Sequence, residues 1–176
     1  MKKLLLLLLL LFSFGDAAIA QKKVKLRKDE IDKFENKRTF ATDWIKVYSS
    51  MGIPTTVYFS IVHYGQTSVL AVKMITGEVD LIRKDSQAKF IMSNGEIKTL
   101  SCTSDTWSEH GDGAIGLSGS KALGLSILYF GDLSFLADGD ITDIRFEGKE
   151  INYDITLKDK ARKLIKSMYE TYKEAL

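Results

Sequence analysis

From Thr39 onward, apolar residues recur at every second position in short runs separated by turn residues, a period that commits the chain to strands. The clearest run, Thr55 to Tyr64, puts Val57, Phe59 and Ile61 on one face and Tyr58, Ser60, Val62 and Tyr64 on the other, so both faces are expected to be at least partly covered. Val69 to Ile75, Val79 to Lys84, Phe90 to Met92, Ile97 to Leu100 and Leu123 to Phe130 continue the pattern. Spacing this regular predicts an α+β, mainly β domain: an antiparallel meander or curled sheet of about 7–9 strands.

Turn chemistry proposes two registers. With Asn94-Gly95 as a two-residue turn, Met92 pairs with Ile97 and Phe90 with Thr99, and Cys102 falls on a mixed face beside Leu100. With Gly148-Lys149 as the turn, Phe146 pairs with Ile151, Ile144 with Tyr153 and Thr142 with Ile155, leaving Asp143, Arg145, Asn152 and Asp154 on the opposite face. Val24 and Leu26 alternate with lysine and arginine, which suits an edge strand guarded by charge. Asp132 to Ala137 reads as a short helical turn with Asp132 at its start and Gly139 past its end. Leu157, Ala161, Leu164, Ile165, Met168, Tyr169 and Tyr172 recur at helical spacing, predicting an amphipathic helix from about 158 to 174. Packing on its own sheet is expected of this helix, with a membrane surface as the alternative.

The N-terminus reads differently. Lys2 and Lys3 precede an apolar run from Leu4 to Phe12, and Ala18 and Ala20 frame a cleavage motif before Gln21, the order of a secretory signal peptide. Residues 1–20 are therefore expected to be removed after Ala20, leaving residues 21–176 as a single β-rich domain, exported to the periplasm or the medium. A lipoprotein would carry cysteine where Gln21 stands, and no later run is long enough for an integral membrane span. The chain carries 25 basic and 23 acidic side chains, and loss of Lys2, Lys3 and Asp16 leaves a formal net charge of +1. Such balance gives no field for nucleic acid. A single cysteine cannot close an internal disulfide, so the fold must rest on its core.

Reactive residue types are sparse. Gly111 to Gly116 has the dinucleotide-binding spacing but lacks a following helical pattern, and Gly116-Leu117-Ser118-Gly119-Ser120 lacks the second glycine of a nucleophile elbow. Cys102 and His110, with the acids Asp105, Glu109 and Asp112 nearby, are the catalytic candidates, because a thiol needs a base or positive charge beside it to become nucleophilic. Two histidines 47 positions apart and one cysteine give no zinc spacing, and Asp138, Asp140 and Asp143 depart from a calcium loop, so neither metal nor cofactor is expected. His63 reads as a core or edge histidine. Binding is expected in the irregular stretch Thr103 to Ala122, with Trp107, His110 and Asp112 as its recognition-capable side chains, although Trp107 is expected first as a lid folded over the core.

The Asn94-Gly95-Glu96 hairpin, the run from Gly116 to Ser120 leading into Gly124-Leu125-Ser126-Ile127-Leu128-Tyr129, and Ile141-Thr142-Asp143-Ile144-Arg145 before the final helix resemble the small secreted β-rich proteins common in Bacteroidetes. The resemblance implies export and the fold class, and it brings no catalytic residue. A non-enzymatic binding domain for an extracytoplasmic protein or glycan is thus the leading expectation. A small hydrolase or transferase using Cys102 and His110 is the alternative, and a curled sheet holding an apolar ligand is a third.

Overall fold

The computed structural model describes residues 23–52, 56–77, 79–110 and 123–176, so the expected signal peptide lies outside the described residues. Thirteen strand segments occur among them: β1 Leu26–Asp32, β2 Lys37–Thr42, β3 Ile45–Ser49, β4 Thr56–Tyr64, β5 Thr67–Thr76, β6 Leu81–Ile82, β7 Gln87–Met92, β8 Ile97–Cys102, β9 Thr106–Trp107, β10 Glu109–His110, β11 Leu123–Phe130, β12 Ile141–Glu147 and β13 Asn152–Thr156. A single long helix, α1 Asp159–Ala175, follows.

The main sheet is antiparallel and runs β1-β2-β4-β5-β11-β8-β7-β12-β13, with β3 sharing the edge of β4 with β2, and β10 sharing the edge of β11 with β8. Half of the neighbours along this order are consecutive in sequence; β2 beside β4, β11 inserted between β5 and β8, and β12 laid beside β7 are the exceptions. The sheet curls. β4 and β12 stand five places apart, about 24 Å in a flat sheet, yet the Phe59 and Phe146 rings meet edge to face with centroids 6.3 Å apart. The enclosed side is filled by Phe59, Phe90, Tyr129, Phe146 and Tyr153, packed with aliphatic residues of β4, β5, β8 and β11. These side chains occupy the space an apolar ligand inside the curl would need.

Helix α1 caps this core. Ala161, Ile165, Met168 and Tyr172 are buried, as the helical spacing predicts, and α1 lies against β2, β3, β4 and a 3-10 turn at Ser134–Ala137. The N-cap of the turn is Leu133 rather than the expected Asp132, which stands one position earlier and accepts hydrogen bonds from the backbone N–H and the hydroxyl of Ser134; Gly139 lies past the turn as expected and takes positive φ. Thr171 donates to the Val24 carbonyl, fastening α1 to the chain just before edge strand β1.

Both hairpins form, but in other registers. Ile91 pairs with Ile97, because Ser93-Asn94-Gly95 make a three-residue loop in which Gly95 takes φ +84°. The slip of one residue turns β8 over, so Leu100 and Cys102 face the core and Ile97 is exposed opposite Ile91. In the second hairpin Ile144 pairs with Ile155 and Phe146 with Tyr153 around a four-residue loop that takes in Ile151, a slip of two residues that leaves the paired side chains on their expected faces. Arg145 and Asp154 form a two-pronged ion pair on the outer side.

One core group is unsatisfied: among the described residues the buried Tyr129 hydroxyl has no hydrogen-bond partner, and burial holds its pKa well above the usual phenol value. Tyr129→Phe removes that hydroxyl and keeps the ring against Phe146. The expected change in urea unfolding lies between neutral and about 1 kcal/mol stabilising, and a loss of more than that would reveal a partner for the hydroxyl.

Candidate functional site

After Cys102 the chain leaves β8 and returns as a short flap. Trp107 of β9 pairs with Leu81 of β6, and Glu109 of β10 pairs with Gly124 of β11. The stretch after Thr103 is therefore only partly irregular, since β9 and β10 lie within it. Ser108, between them, is clamped to the main chain of Asp80: its N–H and hydroxyl donate to the Asp80 carbonyl, and its hydroxyl accepts from the Asp80 N–H. The Asp80 side chain, 2% exposed, in turn accepts from Tyr153, from the backbone N–H of Leu81 and from that of Glu150. Asp105 accepts from the backbone N–H of Lys84. Core and flap are thus joined through one buried carboxylate and its backbone.

This anchoring presents a cleft of about 190 Å³ lined by Asp105, Thr106, Trp107, Glu109 and Ser126. Trp107 is 59% exposed, so it does not fold back as a lid over the core. The arrangement combines an apolar indole face with two carboxylates and two hydroxyls within one small concavity. Such a set can stack on a flat, partly apolar ring while accepting and donating hydrogen bonds at its rim. Thr106 and Ser126 carry no sequence signal of their own, Asp105 and Glu109 stand out in the sequence only as acids near Cys102 and His110, and Ser126 arrives from β11 only through strand pairing.

The remaining candidates do not join this cleft. Cys102 is 2% exposed, points into the core and donates to the Ser104 carbonyl, and burial pushes its thiol above the ordinary cysteine value. His110 is exposed on β10. Cys102 pairs with Tyr129 and His110 with Leu123, six residues apart on β11, which separates them by roughly 20 Å. No thiol–imidazole pair is assembled. Asp112 and the glycine-rich run from Gly111 to Ala122 lie outside the described residues.

Sequence reasoning also missed a hydrogen-bonded chain at the helix. His63 Nδ1 and Ser68 Oγ are 2.9 Å apart, and Ser68 Oγ and the Tyr172 hydroxyl are 2.9 Å apart. Phe40 stacks on the buried His63 ring. The chain links β4, β5 and α1 and satisfies the polar groups at their seam.

Among the described residues no group of three or more His, Cys, Asp or Glu side chains is placed to hold a metal ion, and no helix is long and apolar enough to cross a membrane. Compared with family models, curated proteins and solved structures, the chain matches none of them.

Proposed function

We propose that this chain is an exported binding protein whose β domain recognises carbohydrate through the Trp107 cleft. The observation that carries the reading is an indole 59% exposed, on a flap anchored by Ser108, beside Asp105, Glu109, Thr106 and Ser126. A pyranose presents an apolar C–H face that stacks on indole and a ring of hydroxyls that carboxylates accept from, and the cleft is of the size of one such ring. Short, polar concavities of this kind bind through orientation of hydroxyls rather than through burial of a large apolar ligand. Export is supported by the charge, apolar run and cleavage motif ending at Ala20, and by the resemblance to small secreted proteins. The separation of Cys102 from His110 favours binding over thiol-based hydrolysis or transfer.

Trp107 and Trp44 are the two tryptophans, so intrinsic fluorescence reports ligand contact directly. Titration against a panel of soluble neutral and acidic polysaccharides is expected to shift the emission for at least one of them. Trp107→Ala is expected to weaken that binding at least tenfold, about 1.4 kcal/mol, with no change in the far-UV spectrum. A panel without any ligand, or binding untouched by Trp107→Ala, overturns the reading.

A further inference from the structure

Beside the cleft, the outer face of the sheet carries an uncompensated pair of cations. Lys73 Nζ lies 4.9 Å from the centre of the Trp44 ring, and the Arg27 guanidinium carbon 5.5 Å from the same centre. One cation on an indole is a stable arrangement. A second brought to the same ring adds like-charge repulsion, and among the described residues neither Arg27 nor Lys73 forms an ion pair with a carboxylate. Burial and then the Arg27 charge push the Lys73 ammonium below the usual lysine value.

Backbone geometry puts these groups there. The pairing of β1 with β2 slips between Leu26 and Lys28, so Arg27 is the extra residue of a bulge, a device that re-aims a side chain. Trp44 occupies the bend where the chain passes from β2 to β3 along the edge of β4. Lys73 on β5 lies directly opposite Ser126 of β11 on one side and Tyr58 of β4 on the other, and Tyr58 lies opposite Lys46 of β3. Ser126 also lines the Trp107 cleft. From Ser126 to Lys46 is therefore one continuous row across four strands, about 14 Å long, with the carboxylates at the cleft end and the cations towards the other.

We propose that the Arg27–Trp44–Lys73 cluster, continuous with the Trp107 cleft through Ser126, takes the carboxylate or sulfate-ester group of an acidic glycan. The proposal rests on the glycan reading and adds to it the charge of the ligand and its direction. Neutral hydroxyls of one sugar sit against Asp105 and Glu109, whose charges turn an acidic substituent away, and the anionic group of a following sugar reaches the two cations. The anion then supplies the counter-charge that the protein lacks at that point.

The test titrates polygalacturonate, dextran sulfate and neutral dextran onto the purified protein, following tryptophan emission at low and high salt. The expected result is binding of at least one acidic polymer at least tenfold tighter than dextran, weakened by salt. Lys73→Met, which keeps an apolar stem, and Arg27→Gln are each expected to reduce acidic-polymer affinity about tenfold, with thermal midpoints checking the fold of each variant. Preference between the two acidic polymers decides carboxylate against sulfate ester. Acidic-polymer binding that depends on Trp107 but is unchanged in Lys73→Met and Arg27→Gln overturns the charge assignment and leaves the glycan reading standing. Absence of binding by either acidic polymer also overturns it, and the neutral members of the wider panel then decide the glycan reading on their own.

Discussion

Asp80→Ala is expected to destabilise the protein by about 3–5 kcal/mol, a size reached when a buried, hydrogen-bonded charged group is removed from its partners. The carboxylate accepts from the Tyr153 hydroxyl, from Leu81 N–H and from Glu150 N–H, which belong to β13, β6 and the β12–β13 loop. Its loss leaves a polar hole at the junction of three segments, and alanine has nothing to offer the donors. Gly148 stands against the oxygen that accepts from Tyr153, since a Cβ there would overlap Asp80 Oδ2 and the Ile151 carbonyl, so the loop is shaped around the carboxylate. For a domain of this length the thermal midpoint should fall by roughly 10 °C. Asp80→Asn, which retains one acceptor oxygen, should fall by less, and Tyr153→Phe by less again. A midpoint for Asp80→Ala within about 2 °C of the parent would mean that water replaces the carboxylate and that the junction is held by packing alone.

How far such features are legible in sequence depends on whether they are local. The alternation in β4, the helical stripe of α1 and the Asp132 turn depend on residues within a few positions of one another, and the structure contains all three as expected. Register depends on loop length, which Asn-Gly and Gly-Lys dipeptides do not determine. Asn94-Gly95 serves a three-residue loop because Met92 N–H bonds to the Glu96 carbonyl and Asn94 accepts from Glu96 N–H, closing the turn one residue earlier than a two-residue turn would. In β8, Ile97 and Leu100 lie on opposite faces, so the strand cannot bury both. Burying Leu100 and Cys102 together leaves Ile97 outside, which a choice made from Ile97 alone gets backwards. The second hairpin tolerates its error because a slip of two preserves the faces.

The candidate site shows the same division. Trp107 is conspicuous in the sequence because an indole among serines and glycines has few apolar neighbours to pack against. Ser126 reaches the cleft only because β10 and β11 pair, and Arg27, Trp44 and Lys73 meet only through a bulge, a bend and two ladders. Cys102 and His110 fail for the complementary reason: eight positions apart in sequence, they are carried to opposite ends of one strand edge as the chain turns away at Cys102. Asp80 is also non-local, with its side-chain partners Glu150 and Tyr153 about seventy residues downstream.

Ile165→Asp is the substitution expected to have the largest effect, because it separates the two physical uses of a basic amphipathic helix. Ile165 is completely buried between α1 and the sheet, in a seam it shares with Ala161, Met168 and Tyr172. Replacing it removes a large aliphatic side chain from the core, costing about 2–5 kcal/mol, and places a carboxylate in an apolar seam, costing several more. Together these approach the whole stability of a domain, usually about 5–15 kcal/mol. The variant should therefore be largely unfolded at 37 °C, with loss of tertiary near-UV signal. Lys163→Asp, two residues earlier on the exposed side of the helix, also introduces an acid into α1 and should change stability by no more than about 0.5 kcal/mol. Were α1 held in reserve for a membrane surface, Ile165→Asp would leave the purified protein folded and abolish vesicle binding instead. The helix that closes the curled sheet predicts the opposite pairing of results, because α1 covers the residues of β2, β3 and β4 beneath it.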